Sequence, residues 1–396
     1  TANCTIKVSD EEIASPLAKE IDILVGMSGP AIDKFVGSIR PGGYLFVNSS
    51  LVKDKTYRDD DEVFQFCGEN NIISQYENYC SQDYLYNIYA SGWSVIMNQQ
   101  YHDRTSSIYC AYAWYYYYTI IGNANTLIAN IDNATGSEEE KAFIKAQALT
   151  YRSLAYYNLM YLYQDNYMDG GKDKAGVPLH LTVGGALGRE TSVKVYAQVK
   201  SDLEEAIKLF KENEYDSVAT PTDIDQDVAN LILARVCVTI GEYTAAVNAA
   251  DAVIKAGYSL MNEAQYTGGF LDVSLPETIF GYNWSLSTSN GNRAFSAWTS
   301  PSILDFNGSN MGIYICIDDQ LYNQIPDTDY RKKNFVKEQT QSTKDGVTVT
   351  RPAYLSTKYD HANWETDEIF MRLSEAYLLK AEAEARNNQP AAAQQT

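Results

Sequence analysis

The sequence has little of what metal sites, nucleic-acid sites and membrane spans require. Its three histidines, His102, His180 and His361, are scattered, and its six cysteines form no C-x-x-C pair, so no metal centre is predicted. No apolar run reaches about 18 residues, so no membrane-spanning helix is predicted. Lys and Arg number 31 against 51 Asp and Glu, a net charge of −20. This charge excludes nucleic acid and anionic lipid as partners, because both need a cationic field; a neutral or a cationic ligand remains open.

The chain also lacks the usual signs of a natural start. Thr1 stands where a start methionine would, and no charged-then-apolar leader is present, so we expect the true beginning to be missing or trimmed. What is abundant is tyrosine, with 32 residues against 12 phenylalanines. Because tyrosine joins a flat apolar face to a polar tip, it suits helix seams and wet binding surfaces alike. We expect the cysteines to be mostly buried thiols.

Residues 1–63 differ in pattern from the rest of the chain. Apolar runs at residues 21–27 and 44–48 predict two buried strands, a short helix is predicted at residues 30–39, and Pro41-Gly42-Gly43 predicts a turn. The segments TANCTIKVSDEEIASP, VGMSGPAIDKF and RPGGYLFVNSSLV resemble the gamma-subunit domain of 2-oxoacid:ferredoxin oxidoreductases. The resemblance implies a Rossmann-like β-α-β fragment. That family's glycine-rich opening and its thiamine diphosphate and iron–sulfur portions are absent, so we expect no cofactor.

Helical periodicity dominates from residue 64 onward. The run AYAWYYYYTIIGNANTLIANI at residues 111–131 predicts a central amphipathic helix. Ser137 followed by three glutamates predicts the start of a second helix, to about residue 166. Helices are also predicted at residues 193–211, 225–240 and 242–256. The last two form a pair around Gly241 that is close to the tetratricopeptide unit. This pair repeats the preceding pair of helices, and a third copy is predicted from residue 367.

An ordered set of motifs over residues 64–396 resembles the RagB/SusD family of Bacteroidota. The motifs include WYYYYTIIGNANTLI, KAQALTYRSLAYYNLMYLY, VANLILARVCVTIGEYTAAVNAADAVIKAGYSL, PETIFGYNWS, DTDYRKKNF and RLSEAYLLKAEA. The resemblance implies a mainly α fold, with tetratricopeptide-like helix pairs and an irregular ligand-binding insertion, here about residues 258–365. It also implies a non-enzymatic, surface-exposed outer-membrane lipoprotein that binds oligosaccharide and caps a TonB-dependent, SusC-like transporter.

The chain departs from that family in three places. The family's signal peptide and lipidated cysteine are absent, its first helical segment is replaced by residues 1–63, and its C-terminal portion is absent after Thr396. We therefore expect two domains, residues 1–63 and 64–396, and an artificial join near residues 60–66. A natural fusion is the alternative, although electron-transfer machinery and a surface receptor belong in different compartments.

Two loop-like segments carry the residue types that hold sugars. Aromatic rings pack on the apolar faces of sugar rings, while amides and guanidinium groups bond their hydroxyls. The first segment, residues 93–104, offers Trp93, Asn98, Tyr101 and Arg104. The second segment, residues 282–298, offers Tyr282, Trp284, Asn290, Asn292, Arg293 and Trp298. Packing beneath its own loop is an equal alternative for each aromatic, whereas core packing is favoured for Trp114 and Trp364.

Catalysis has less support in the sequence. Asp318, Asp319, Asp327 and Asp329 are candidate loop carboxylates, but a glycosidase needs two of them across a cleft at a set distance. Weak Ca²⁺ binding by these acids stays open, without EF-hand spacing. The main alternative to a glycan receptor is a protein–protein scaffold built on the tetratricopeptide-like pairs. An oxidoreductase function of the N-terminal fragment comes third.

Overall fold

The protein is described here by a computed structural model. It describes residues 21–26, 38–47, 62–65, 84–86, 108–185, 187–213, 221–283, 300–301, 314–344, 347–360 and 366–396. The chain divides into two compact units, Thr1–Glu69 and Asn70–Thr396. Trp364 and most of the predicted helix at residues 30–39 lie outside the described residues.

The first unit contains a three-stranded parallel sheet. Its strands are β1 (Ile21–Gly26), β2 (Ile39–Val47) and β3 (Glu62–Gln65), in the order β1-β2-β3. The predicted parallel pair is confirmed. The predicted turn at Pro41-Gly42-Gly43 is wrong, because these residues lie inside β2 and are accommodated by an irregular register opposite β1. Strand β3 is not predicted by the sequence pattern, and it lies across the expected domain boundary at residue 63.

The second unit is mainly helical over its described residues, as predicted. The helices are α1 (Ile108–Asn130), α2 (Glu138–Tyr163), α3 (Ser192–Glu212), α4 (Gln226–Ile240), α5 (Tyr243–Ile254), α6 (Glu263–Thr267), α7 (Asp319–Gln324), α8 (Leu373–Arg386) and α9 (Pro390–Ala393). Helices α1 to α5 pack each on the next, and α8 packs on α4 and α5. This arrangement of stacked helix pairs buries one continuous core.

Local signals in the sequence set the ends of these helices. Ser137 and Glu140 form a capping box at the start of α2, each side chain bonding the other's backbone N–H. Asp225 caps α4 by accepting from the N–H groups of Asp227 and Val228. Gly241 ends α4 with a φ of 80°, a conformation that suits glycine best.

The helix predicted from residue 367 begins later than expected. Residues 368–372 form strand β13 (Glu368–Arg372), antiparallel to β7 (Thr278–Tyr282), and α8 begins only at Leu373. The tertiary pairing with β7 overrides the helical pattern of this segment. The backbone oxygen of Glu277 accepts from Leu373 N–H, and its carboxylate accepts from Ser374 N–H, so Glu277, in the turn just before β7, caps the start of α8.

The remaining strands are one strand before α1, the ribbon before α3 and the strands of the insertion after α5. They are β4 (Tyr84–Tyr86), β5 (Ala175–Pro178), β6 (Arg189–Thr191), β8 (Ile315–Ile317), β9 (Phe335–Val336), β10 (Thr340–Lys344), β11 (Val347–Arg351) and β12 (Leu355–Ser356). The sheet order is β4-β8-β12-β9, with β5-β6 and β10-β11 as separate ribbons. Within the described residues, no helix is long and apolar enough to span a bilayer.

Candidate functional site

Most of the predicted sugar-binding residues lie outside the described residues. These are Trp93, Asn98, Tyr101, Arg104, Trp284, Asn290, Asn292, Arg293 and Trp298. Tyr282 is described, and so are β4 and α1, which precede and follow the first segment in the chain. We call the described residues nearest the ends of a segment its roots.

Strand β4 and helix α1 flank the first segment in the chain. β4 ends at Tyr86, seven residues before Trp93, and α1 begins at Ile108, four residues after Arg104. Tyr86 is paired with Ile315, the first residue of β8. Because β4 and β8 are antiparallel, the chain that leaves β4 and the chain that enters β8 lie at the same end of the sheet.

Tyr282 is the last residue of β7 and the first of the second segment. It is paired with Glu368 across the β7–β13 ribbon, and its ring meets Phe370 edge-on at a centroid distance of 4.9 Å. The phenol groups of Tyr282 and Tyr151, on α2, lie near each other. Burial, helped by Tyr151 and Tyr116, raises the pKa of Tyr282 well above its ordinary value. The side chain of Tyr282 is thus partly buried and packs against its neighbours, and its direct contact with a sugar stays a prediction.

Tyr116, Tyr151 and Tyr282 form what we call the tyrosine cluster. Tyr116 lies on α1, and its ring stacks on that of Tyr112 one turn earlier, at 6.3 Å and 11° between planes. All three side chains pack against the same helical core. The tyrosine run in α1 is visible in the sequence, whereas the closeness of Tyr151 and Tyr282 is not, since it depends on the path of the long insertion.

A buried polar network fastens the loop between β5 and β6, residues 179–188, to the helices. Arg152 and Asp202 form a two-armed ion pair with both N–O distances 2.8 Å, and Arg152 also donates to Asn125. Asn125 in turn donates to the backbone oxygen of His180. The Tyr156 hydroxyl both donates to His180 O and accepts from His180 N. Sequence reasoning missed this network, although a single arginine inside the apolar pattern of α2 was a signal for it.

Three of the four candidate catalytic acids have structural partners. Asp318 caps α7, accepting from Gln320 and Leu321 N–H. Asp329 caps the following short helical turn and pairs with Arg331. Hydrogen bonding to Arg331 lowers the pKa of Asp329.

Asp327 lies beside Lys332 at 2.8 Å, and hydrogen bonding to Lys332 lowers the pKa of Asp327. A general acid needs a raised pKa, so these shifts run against that role for Asp327 and Asp329.

The described thiols and acids offer no metal site. No group of three or more His, Cys, Asp or Glu residues that could hold a metal occurs in the described ranges. Cys237 and Cys316 are free and buried, as predicted for the cysteines, and burial raises their pKa to about 12 and about 11. Trp114 packs in the helical core against Tyr118 and Tyr163, also as predicted.

Comparison with known proteins agrees with this architecture. Residues 60–237 match a SusD-like family model described as "starch-binding associating with outer membrane". This part of the chain is therefore similar to the SusD-like family. The match begins at residue 60, and the boundary between residues 63 and 64 stays a prediction. The same holds for the oxidoreductase resemblance of residues 1–63. No curated protein matches the chain.

Solved structures show that the SusD-like fold extends over most of the chain. A SusD-like carbohydrate-binding protein of Bacteroides vulgatus ATCC 8482 has a TM-score of 0.66 and 23% identity, covering 80% of this chain and 66% of that one. A SusD superfamily protein of Bacteroides thetaiotaomicron VPI-5482 has a TM-score of 0.68 and 22% identity, covering 83% and 74%. A laminarin-binding SusD-like protein has a TM-score of 0.62 and 18% identity, covering 82% and 78%. At these identities the likeness shows the fold.

Proposed function

We propose that this SusD-like chain binds oligosaccharide at the bacterial cell surface and delivers it to a TonB-dependent, SusC-like transporter in the outer membrane, without catalysing a reaction. The tyrosine cluster is the observation that carries the proposal. Its three tyrosines pack against one helical core, and Tyr282 begins the second of the two segments predicted to bind sugar. One extended surface with several rings is what an oligosaccharide needs.

Three further observations support a sugar as the ligand. The matching family is described as starch-binding, and one structural neighbour is described as binding laminarin. Both of these glycans are uncharged. A chain with a net charge of −20 suits an uncharged ligand better than an anionic one. The family description also places its members in association with the outer membrane, which supports surface localisation.

We also propose that the chain consists of two parts, residues 1–63 and residues 64–396. We propose that the first part is a Rossmann-like fragment joined artificially to the SusD-like part. Amplification across residues 60–66 from source DNA tests the join. A product of the expected length would contradict an artificial join and support a natural fusion.

Retardation of the full chain in native gels containing single polysaccharides tests the proposed function. We expect retardation by one uncharged polysaccharide and its loss in Trp93→Ala or Trp284→Ala. Tyr161→Ala is the matched control, because Tyr161 is an aromatic on α2 that is 62% exposed and belongs to neither segment. A folded wild-type chain that no polysaccharide retards would contradict the proposal and favour a scaffold. Release of sugar fragments from the polysaccharide would contradict the proposal that the chain catalyses no reaction.

A further inference from the structure

We propose that the loop between β5 and β6, residues 179–188, is a docking surface that enters an apolar groove of the SusC-like transporter. This inference rests on the proposed function, since the transporter is the partner named there. The loop presents three exposed aliphatic side chains: Leu181 is 40%, Val183 65% and Leu187 53% exposed. Because apolar groups gathered on one loop are unfavourable in water, they are typical of a contact surface.

The helices hold the entering side of this loop in one conformation. The Tyr118 hydroxyl donates to the backbone oxygen of the last residue of β5 at 2.7 Å. The Tyr156 hydroxyl bonds the backbone N–H and C=O of His180 at 2.7 and 2.9 Å. Asn125 also donates to that C=O at 2.9 Å, and is itself held by Arg152. A loop that is already ordered loses little conformational freedom on binding, so this network suits a docking surface.

The tip of the loop, in contrast, is open. A Cβ atom added at Gly184, Gly185 or Gly188 would meet no atom of the described part of the chain within 4 Å. Buried hydrogen bonds therefore fix the base of a loop whose tip adds little to the packing of the described fold. Contact of the tip with another molecule accounts for both features.

Charge and residue type select a protein as the partner. No Asp, Glu, Lys or Arg occurs from Ala175 to Gly188, although 21% of the chain is charged and its net charge is −20. A second copy of the chain or an anionic lipid surface would be repelled by that charge. The loop from Leu181 to Gly188 also has no aromatic ring that could stack on a sugar. An apolar groove on a protein meets none of these obstacles, and the proposed function supplies one protein partner, the transporter.

The test is a tip variant of the full chain that carries Val183→Glu and Leu187→Glu. Its affinity for the purified SusC-like transporter of the same organism is measured in detergent by biolayer interferometry. We expect the affinity to fall about 10- to 100-fold, because burying one aliphatic side chain changes an affinity roughly tenfold and burying a carboxylate is unfavourable. Since both positions are exposed, the melting temperature should stay that of the wild type.

The matched control variant carries Leu260→Glu and Leu378→Glu. These two aliphatic residues lie outside the loop and are 54% and 71% exposed, so the control adds the same charge to equally exposed positions. We expect it to bind the transporter with wild-type affinity.

Wild-type affinity in the tip variant would overturn the inference and leave the proposed function standing. An equal loss in the control variant would also overturn it, because added charge would then explain the loss. Flotation of the wild type with phosphatidylcholine vesicles, or its self-association in sedimentation, would overturn it if the tip variant lost either property, since the loop would then serve a lipid surface or a second copy. A wild-type chain that does not bind the transporter would contradict both the inference and the proposed delivery to the transporter.

Discussion

At the scale of single residues, Asp225 is a buried carboxylate whose pKa is raised. Its side chain is 5% exposed, and burial, with the neighbouring Asp227 and Asp223, raises its pKa to about 7. Two backbone N–H groups at the start of α4 oppose this shift without cancelling it. The carboxylate of Asp225 therefore caps α4 in a buried environment that disfavours its charged form.

The sign of the resulting pH dependence follows from the direction of the shift. The folded state holds the proton of Asp225 more tightly than the unfolded chain, in which an aspartate has a pKa of about 4. The contribution of Asp225 to the stability of the folded state is therefore most favourable below about pH 4 and is lost as pH rises through about 7. Asn also caps helices but carries no charge. We expect Asp225→Asn to raise the free energy of unfolding by about 1 to 4 kcal/mol at pH 8 and to leave it nearly unchanged at pH 4.

Urea unfolding of wild type and Asp225→Asn at pH 4, 6 and 8 measures this difference. The gap between the two proteins should widen steadily with pH. An equal difference in the free energy of unfolding at all three pH values would mean that Asp225 does not titrate between pH 4 and pH 8, which would contradict the prediction.

At the scale of elements, the ends of helices were the most predictable feature. Ser137, Asp225 and Gly241 are local signals, and each acts where the sequence places it. Strand β13 was mispredicted as helix, because its state depends on pairing with β7, almost 90 residues away in the chain. Sequence periodicity reports the face that a segment buries, and it cannot report which distant strand is available.

The capping box of α2 gives a prediction at this scale. We expect Ser137→Ala to lower the free energy of unfolding by about 0.5 to 2 kcal/mol, because Glu140 N–H loses its acceptor. Ser201→Ala is the matched control, since Ser201 is an exposed residue within α3, where alanine is the better helix former. Thermal unfolding of both variants beside wild type checks this, and equal melting temperatures for wild type and Ser137→Ala would show that the box contributes nothing.

The candidate site was only partly predictable for a related reason. The aromatic and amide residues of both segments could be chosen by chemistry alone, and Tyr282 was among them. Its packing against Phe370 could not be foreseen, since this contact needs the insertion to return to the helical layer. Composition identifies side chains suited to a ligand, whereas their partners depend on the complete fold.

At the scale of the whole molecule, the net charge of −20 is the dominant electrostatic property. Surface ion pairs such as Lys145–Glu205 and Lys194–Glu190 offset it only locally. Salt at 0.15 M screens charges beyond about 8 Å, which weakens self-repulsion across the surface more than it weakens these close pairs. Repulsion between like charges should therefore set the sign of the salt response.

We accordingly expect the urea midpoint of unfolding to rise when NaCl is increased from 10 mM to 200 mM at pH 7.5. Urea is uncharged, so the added salt is the only change in ionic strength. Sodium sulfate at matched ionic strength is the comparison, since it shows how much of the rise comes from ion-specific effects rather than screening. A midpoint that falls with NaCl would mean that the close ion pairs outweigh the net repulsion.

The loop between β5 and β6, residues 179–188, is a site at which the backbone of this chain could be cut or extended. Tyr156 holds the loop on its entering side through His180, and Arg189 holds it on its leaving side by donating to the carbonyl oxygens of β5. Gly184 and Gly185 at its tip both have positive φ and have open space around them. A break in the backbone between these two glycines would leave both new ends attached to the same helices. The second unit could then be assembled from two separate polypeptides, or given a fluorescent insert at the tip, without loss of its packing.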